Sequence, residues 1–246
     1  MTTKTDFLAI DIGNTSTDFA IFQGEKIVKK WSVSTSKLRK YKPSKTLKFK
    51  DGIVSSVVPQ ALTILKPLFT NLFFLTPSFF TTKLGFSIDL KNPQEVGVDR
   101  LVNAYAVASL YEKPAIVIDF GTGTTFDILS KEGGYLGGAI VPGIVISSDA
   151  LFEKAAKIKK ISILEPSKLI GKTTREAMLS GIVYGYASMV DGMVGRFKKE
   201  LKRDLFVVAT GGYAKLIMKY ASQVDIIDKD LTLKGLNLIW KTWKKI

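Results

Sequence analysis

Two stretches of the chain repeat one design. Phe7-Leu8-Ala9-Ile10 leads through Asp11-Ile12-Gly13-Asn14-Thr15-Ser16-Thr17-Asp18 into Phe19-Ala20-Ile21-Phe22. Ala115-Ile116-Val117-Ile118 leads through Asp119-Phe120-Gly121-Thr122-Gly123-Thr124-Thr125 into Phe126-Asp127-Ile128-Leu129. A strand-turn-strand with Gly and Thr at its tip presents backbone N–H groups and hydroxyls to one point, which suits phosphate oxygens. Two such tips facing each other across a cleft would grip a polyphosphate from both sides. Asp11 can hold a hydrated Mg²⁺, an ion that usually keeps waters and takes only one or two carboxylates besides substrate phosphates. Thr210-Gly211-Gly212 follows another apolar run, and its lack of side chains would let an adenine ring lie against the backbone. Each piece alone is also an ordinary turn. Asp119 lies 108 residues after Asp11, and that recurrence marks a duplicated, domain-sized unit rather than a solenoid repeat.

Composition removes other chemistries. The 246 residues include no Cys and no His, so disulfides, Cys or Cys/His zinc sites, thiol nucleophiles and Ser-His-Asp triads are excluded. Proton transfer must use a carboxylate, Lys, Tyr or water. Lys and Arg number 36 against 22 Asp and Glu, a net charge of +14, which raises nucleic acid, an anionic membrane or a small polyanion as partners. The excess is spread evenly, with 16 basic and 9 acidic residues up to Lys113 and 20 and 13 beyond it. Its one local concentration is Lys37, Arg39, Lys40, Lys42, Lys45, Lys48 and Lys50, read as a solvated loop or strand edge. No charged-then-apolar leader opens the chain, and Pro67 to Thr82 and Gly133 to Ser148, the longest charge-free stretches, are too short to span a bilayer. A cytoplasmic protein with no membrane partner is expected.

The elements that must position these residues follow from periodicity. Each tip joins a β-hairpin, and each is followed by a further strand, from Lys26 to Val33 and after Glu132-Gly133-Gly134. Ile53 to Val58 reads as a buried strand and Leu62 to Phe69 as a helix. Asp99 to Lys113 has helical spacing, with Asp99 as N-cap. Thr174 to Arg203 reads as a long helix in which Gly181, Gly185, Gly192 and Gly195 recur. Glycines inside a helix weaken it by up to about 1 kcal/mol each, so a second helix or a partner subunit is expected against them. Leu205 to Ala209 is a strand and Leu231 to Trp243 a terminal helix, and the aromatic run Phe69 to Phe80 is assigned to the core beneath the first sheet. Asp18 either assists a metal or closes its turn, and Asp127 reads as solvated or edge-exposed. From residue types alone, Asp99-Arg100 reads as a helix cap with a surface ion pair.

Taken in order, the Asp11, Asp119 and Thr210 segments resemble the phosphate-1, phosphate-2 and adenosine motifs of the acetate and sugar kinase/Hsc70/actin superfamily. Within it the chain resembles type III pantothenate kinase. Gly97-Val98-Asp99-Arg100, Gly137-Gly138-Ala139-Ile140-Val141-Pro142-Gly143, Gly171-Lys172-Thr173-Thr174 with Ala177-Met178-Leu179-Ser180-Gly181, and Leu231-Thr232-Leu233-Lys234-Gly235-Leu236 all match. The match runs from Asp6 to the C-terminus.

The resemblance implies an α/β protein of two ribonuclease-H-like, actin-like ATPase domains, residues 1–113 and 114–246, each a mixed five-stranded sheet flanked by helices. It implies ATP-dependent phosphorylation of pantothenate, the first step of coenzyme A synthesis, by a homodimer that needs Mg²⁺ and K⁺ or NH₄⁺. Asp11, Ile12, Gly13, Asn14, Thr15, Ser16, Thr17 and Asp18 would bind ATP, with Asp11 handling Mg²⁺ through water, and Thr122 would also contact ATP. Asp119 would coordinate the monovalent cation. Gly97, Val98, Asp99 and Arg100 would bind pantothenate, Asp99 accepting the proton of the reacting hydroxyl and Arg100 pairing with the substrate carboxylate. Thr174 would touch pantothenate bound to the neighbouring subunit. Two positions depart from the family pattern: Leu90 stands where Tyr is usual before Asn92-Pro93, and Thr173 where Asn is usual. Three other readings remain open: a kinase of the same superfamily acting on another small hydroxyl compound, a non-catalytic nucleotide-binding regulator of the Bvg accessory factor type, and a nucleic-acid binder, which lacks any recognisable motif.

Overall fold

The structure is a computed structural model that describes residues 7–44, 49–154 and 160–245. Its elements in chain order are β1 (Phe7–Ile12), β2 (Ser16–Gln23), β3 (Lys26–Ser34), a 3₁₀ turn (Thr35–Lys40), β4 (Asp51–Ser56), α1 (Ala61–Leu65), β5 (Leu72–Phe74), α2 (Pro77–Leu84), a second 3₁₀ turn (Pro93–Glu95) and α3 (Val98–Leu110). The design then recurs as β6 (Ala115–Phe120), β7 (Gly123–Leu129), β8 (Tyr135–Pro142), α4 (Ile144–Lys154), α5 (Thr174–Leu201), β9 (Phe206–Gly211), α6 (Ala214–Ile217) and β10 (Ile226–Ile227), closed by α7 (Leu231–Trp243).

The two sheets have one topology, β3-β2-β1-β4-β5 and β8-β7-β6-β9-β10. In each, the first strand pairs antiparallel with the second and parallel with the fourth. The expected pair of mixed five-stranded sheets flanked by helices is therefore present. The duplication read from Asp11 and Asp119 is a repeat of topology as well as of sequence.

Compactness groups the chain up to Tyr111, Gly133–Gly137 and the stretch from Asp230 as one unit, and Glu112–Glu132 with Gly138–Lys229 as a second. The terminal helix α7, placed beyond the boundary at 113, thus packs in the first unit. In that unit, Leu8, Ile10, Ile12, Phe19, Ile21 and Val54 point to one face of the sheet, under Leu38, Ala61, Leu65 and Phe69. By strand alternation Ala9, Asp11, Ile53 and Ser55 occupy the opposite face, where α3 and α7 pack. Gly235 explains how closely those two helices meet: a Cβ there would lie 2.8 Å from the Val102 carbonyl oxygen and 3.1 Å from Ala106 Cβ. Trp240 of α7 stacks on Phe7 at 5.0 Å, and Trp243 sits 4.3 Å from Phe73 and 5.5 Å from Phe79, centroid to centroid. The aromatic run consequently divides, with Phe69 under one face and Phe73 and Phe79 against α7. In the second unit, Ile116, Ile118, Phe120, Phe126, Ile128, Val207 and Ala209 bury one face against Val183, Ala187, Val190 and Val194 of α5.

Several expected boundaries move for local reasons. The helix expected over Leu62 to Phe69 stops at Leu65, because Pro67 disfavours helical backbone just before it and lacks the N–H a further turn would use. Helix α3 ends at Leu110, and the extended backbone of Tyr111 caps it through a hydrogen bond to the Val107 carbonyl. The strand expected over Ile53 to Val58 runs from Asp51 to Ser56, ahead of Pro59, and β9 extends to take in Thr210-Gly211. Helix α5 opens on a full capping box: Glu176 N–H donates to Thr173 Oγ1 at 3.2 Å, while Thr173 and Lys172 N–H donate to Glu176 Oε2 at 3.2 and 2.7 Å. Thr173, the residue departing from the family's Asn, is thus a strong N-cap in its own right.

Candidate active site

The Asp11 loop is a tight connection between β1 and β2. Gly13 N–H donates to the Ser16 carbonyl at 2.9 Å, and Asp11 pairs across the ladder with Asp18. Asn14 and Thr15 are exposed at the tip, Ile12 and Thr17 are buried, and Asp11, Gly13, Ser16 and Asp18 are half-buried. Ser16 Oγ donates to Asp18 Oδ2 at 3.2 Å, which gives Asp18 a role in closing the turn. Residue types did not single out Thr35, yet it anchors this loop three times. Its hydroxyl donates to the Gly13 carbonyl at 2.7 Å, its N–H to the Thr15 carbonyl at 3.0 Å, and its Oγ1 lies 3.0 Å from Thr17 Oγ1. Nothing in the local sequence distinguishes Thr35 from any other Thr at a strand end.

Asp99 is not the N-cap of α3. That position belongs to Gly97, and Asp99 is the second helical residue, half-buried, its Oδ1 accepting from Arg100 N–H at 2.8 Å. A Cβ at Gly97 would come within 2.5 Å of Asp99 Oδ1, so the Asp99 carboxylate would have to shift, and would lie 3.6 Å from Val57 Cγ1. That distance to Val57, just past β4, puts the start of α3 near the C-terminal end of the first sheet, the end that carries Asp11. Val98 is buried, while the Arg100 guanidinium lies 6.0 Å from the centroid of Tyr135. Leu90 is half-buried, and Leu90 Cδ2 would lie 3.2 Å from a Cβ at Gly137. Thus one unit gathers Asp11, Asp18, Gly97, Asp99, Arg100 and Leu90.

The second unit holds the other loop. Asp119 is half-buried and Thr122 exposed at the tip. Gly143 N–H donates to the Thr122 carbonyl at 3.1 Å, tying the Pro142-Gly143 segment to the loop. Thr210 lies beside Asp119 in the parallel register, and Gly211, at φ +93°, makes room for the acid: a Cβ there would stand 2.6 Å from Asp119 Oδ1. Asp127 departs from the expectation of a solvated edge. It is fully buried on β7 and accepts a hydrogen bond from Thr125 Oγ1 at 3.1 Å; β7 lies between β6 and β8 in the sheet, so it is not an edge strand. Thr174 is exposed at the first position of α5, beside an apolar groove lined by Ser147, Leu151, Ala177, Met178 and Gly181.

Among the described residues no group of three or more acidic residues could by itself enclose a metal ion. The Asp11 site suits Mg²⁺ instead by its donor chemistry: one half-buried carboxylate, a second on the adjacent strand and an exposed loop tip beside them match an ion that keeps most of its waters. The basic segment is exposed at Lys37, Arg39, Lys40, Lys42 and Lys50, with Leu38 buried beneath. Lys45 and Lys48 lie outside the described residues. No helix among those described is long and apolar enough to cross a membrane.

Comparison with known proteins identifies the family. The family model for type III pantothenate kinase matches residues 7–196. Type III pantothenate kinases of Syntrophus aciditrophicus and Halalkalibacterium halodurans are each 43% identical over 95% of this chain and 98% of theirs, and that of Bacillus cytotoxicus is 40% identical over 94% of both. Among solved structures, a conserved putative Baf family transcriptional activator from Campylobacter jejuni superposes with a TM-score of 0.68 at 20% identity over 97% of this chain and all of that one. Component A of (R)-2-hydroxyglutaryl-CoA dehydratase from Acidaminococcus fermentans does so with 0.54 at 15% over 98% of both. At such identities these two likenesses speak for the fold alone. The family model over residues 7–196 and the sequence relatives spanning nearly the whole chain go further: this chain belongs to the type III pantothenate kinase family.

Proposed function

We propose that the protein transfers the γ-phosphoryl group of ATP to the primary hydroxyl of pantothenate, releasing ADP and 4′-phosphopantothenate and opening coenzyme A synthesis. The observation that carries this reading is the gathering of Asp11 and Asp99 at one end of one sheet in a chain of this family. Phosphoryl transfer asks chiefly for positioning and for neutralisation of charge on the moving group. The substrate hydroxyl oxygen forms a bond to the γ-phosphorus as the bond to the β,γ-bridging oxygen breaks. The hydroxyl proton passes to the Asp99 carboxylate, so the absence of His is no obstacle.

The Asp11 loop, from Asp11 to Asp18, and Thr122 bind ATP in this reading, with Thr35 holding the first loop in shape. Asp11, helped by Asp18, holds Mg²⁺ through its waters, and the ion supplies charge neutralisation along the phosphates. Asp119, with room made by Gly211, coordinates K⁺ or NH₄⁺. Gly97, Val98 and Arg100 bind pantothenate, the Arg100 guanidinium facing its carboxylate.

The working form is a homodimer. A Cβ at Gly181, Gly185, Gly192 or Gly195 would meet nothing within 4 Å, so no described part of the same chain accounts for these glycines on α5. Exposed apolar side chains, including Ile140, Ile146, Leu169 and Ile170, occur in the same unit. A second copy laid along α5 would account for both, and Thr174 would then reach the substrate of the neighbouring copy. Incubation with MgATP, pantothenate and K⁺ or NH₄⁺ should release ADP and phosphopantothenate in equal amounts; freshly purified dimer making neither would overturn the reading.

A further inference from the structure

Ser55 is a buried polar residue that the protein itself leaves unanswered. It is fully buried, yet its Oγ has no hydrogen-bond partner among the described residues. Buried hydroxyls are nearly always bonded, because one without a partner costs stability that an alanine or valine would not. The two residues before it on the strand, Ile53 and Val54, are apolar and 0% exposed.

The position of Ser55 gives the hydroxyl a use. In the parallel register Ser55 lies directly beside Asp11, which lies beside Asp18 on the other side. Neighbouring strands are about 4.8 Å apart, so the three residues form one polar row across β2, β1 and β4, on the face that α3 covers. The second unit repeats the arrangement, since Thr210 lies beside Asp119 on the matching parallel strand and is also buried. A hydroxyl thus stands next to the loop carboxylate in both halves of a duplicated fold, although the surrounding residues differ.

We infer that Ser55 is a positioning residue for the metal site, its hydroxyl hydrogen-bonding a water of the hydrated ion that Asp11 holds. This rests on the Mg²⁺-dependent kinase reading above. The hydroxyl would orient the hydrated ion relative to Asp11 without touching the nucleotide.

The test is titration of the intact protein with a non-hydrolysable ATP analogue, once with Mg²⁺ and once with a chelator, taking the ratio of the two dissociation constants. For Ser55→Ala the metal-free affinity and the melting temperature should stay at or above wild type, while the gain in affinity from Mg²⁺ falls by about threefold or more, the scale of one hydrogen bond. Ser55→Thr, which copies the other unit, should restore the gain. A Ser55→Ala protein whose gain shrinks less than that, or whose metal-free affinity falls equally, overturns the inference while leaving the kinase reading intact. A wild-type protein with no Mg²⁺-dependent gain overturns both.

Discussion

A carboxylate in the first turn of a helix ordinarily serves the helix dipole. In the proposed reading Asp99 does more than that: α3 begins near Val57, at the sheet end that holds Asp11, and a Cβ at Gly97 would crowd the Asp99 carboxylate at 2.5 Å. Asp99→Asn should therefore keep the fold and the affinity for MgATP while lowering kcat about 10²- to 10⁴-fold, the range of a lost general base. A regulator that only binds nucleotide would show no such split between binding and turnover. Thr35 makes the second residue-scale test. Thr35→Val removes the hydroxyl bonded to the Gly13 carbonyl and should raise KM for ATP several-fold with little change in KM for pantothenate, measured by steady-state kinetics. The Asp11 and Asp119 loops were legible in the sequence because small residues between apolar runs leave few other readings, and because the pattern occurs twice. Thr35 and Ser55 were not, since their partners lie on other strands and no local pattern announces them. The burial of Asp127 belongs with them, because the place of β7 between β6 and β8 is set by topology, which no local pattern announces.

Elements carry the next level. Helix α3 presents Asp99 to the site because α7 braces it, and Gly235 sets how close the two helices come. Gly235→Val should lose about 1–3 kcal/mol of stability, as overpacked cores do, and lower kcat as α3 shifts; thermal melting and turnover measured together check this. At the other candidate substrate element, the capping box of α5 fixes where Thr174 emerges. Thr173→Ala should cost about 1 kcal/mol. The backbone N–H of Lys172 leads the groups that hold the Glu176 carboxyl below its ordinary value of 4.5. A depressed folded-state pKa gives stability that is present above the ordinary value and is lost as pH falls through the folded one. The difference in melting temperature between wild type and Glu176→Gln should therefore shrink as pH falls below about 4.5. Strands and long helices were readable from period alone, whereas helix ends were not. The early stop of α1 at Leu65 depends on Pro67, and the N-cap at Gly97 rather than Asp99 is a matter of backbone conformation that the pattern of apolar residues does not show.

For the molecule as a whole, the duplicated topology gives each unit one strand-turn-strand loop, proposed above to bind phosphate, and the family relation points to the substrate. The open face of α5 is where the account needs a second copy. Gly185→Arg, on the exposed side of α5, should shift the protein from dimer to monomer in light scattering and abolish turnover while each unit keeps its fold. The terminal helix shows the limit of a linear reading: residues from Asp230 on follow the second unit in sequence but pack with the first, through contacts such as Gly235 with Val102 that connect distant parts of the chain. The +14 charge acquires a use as well, since a basic protein concentrates polyanionic ATP and an anionic substrate near its surface. That steering should weaken as salt rises, visible as an increasing KM for both substrates at constant kcat. The central claim is tested most directly by the reaction itself. With MgATP, pantothenate and K⁺ or NH₄⁺, the account expects one 4′-phosphopantothenate for each ADP released, with the product absent when pantothenate is omitted and nearly absent for Asp99→Asn. ADP release indifferent to pantothenate, or phosphopantothenate formed as fast by Asp99→Asn as by the wild type, would contradict it.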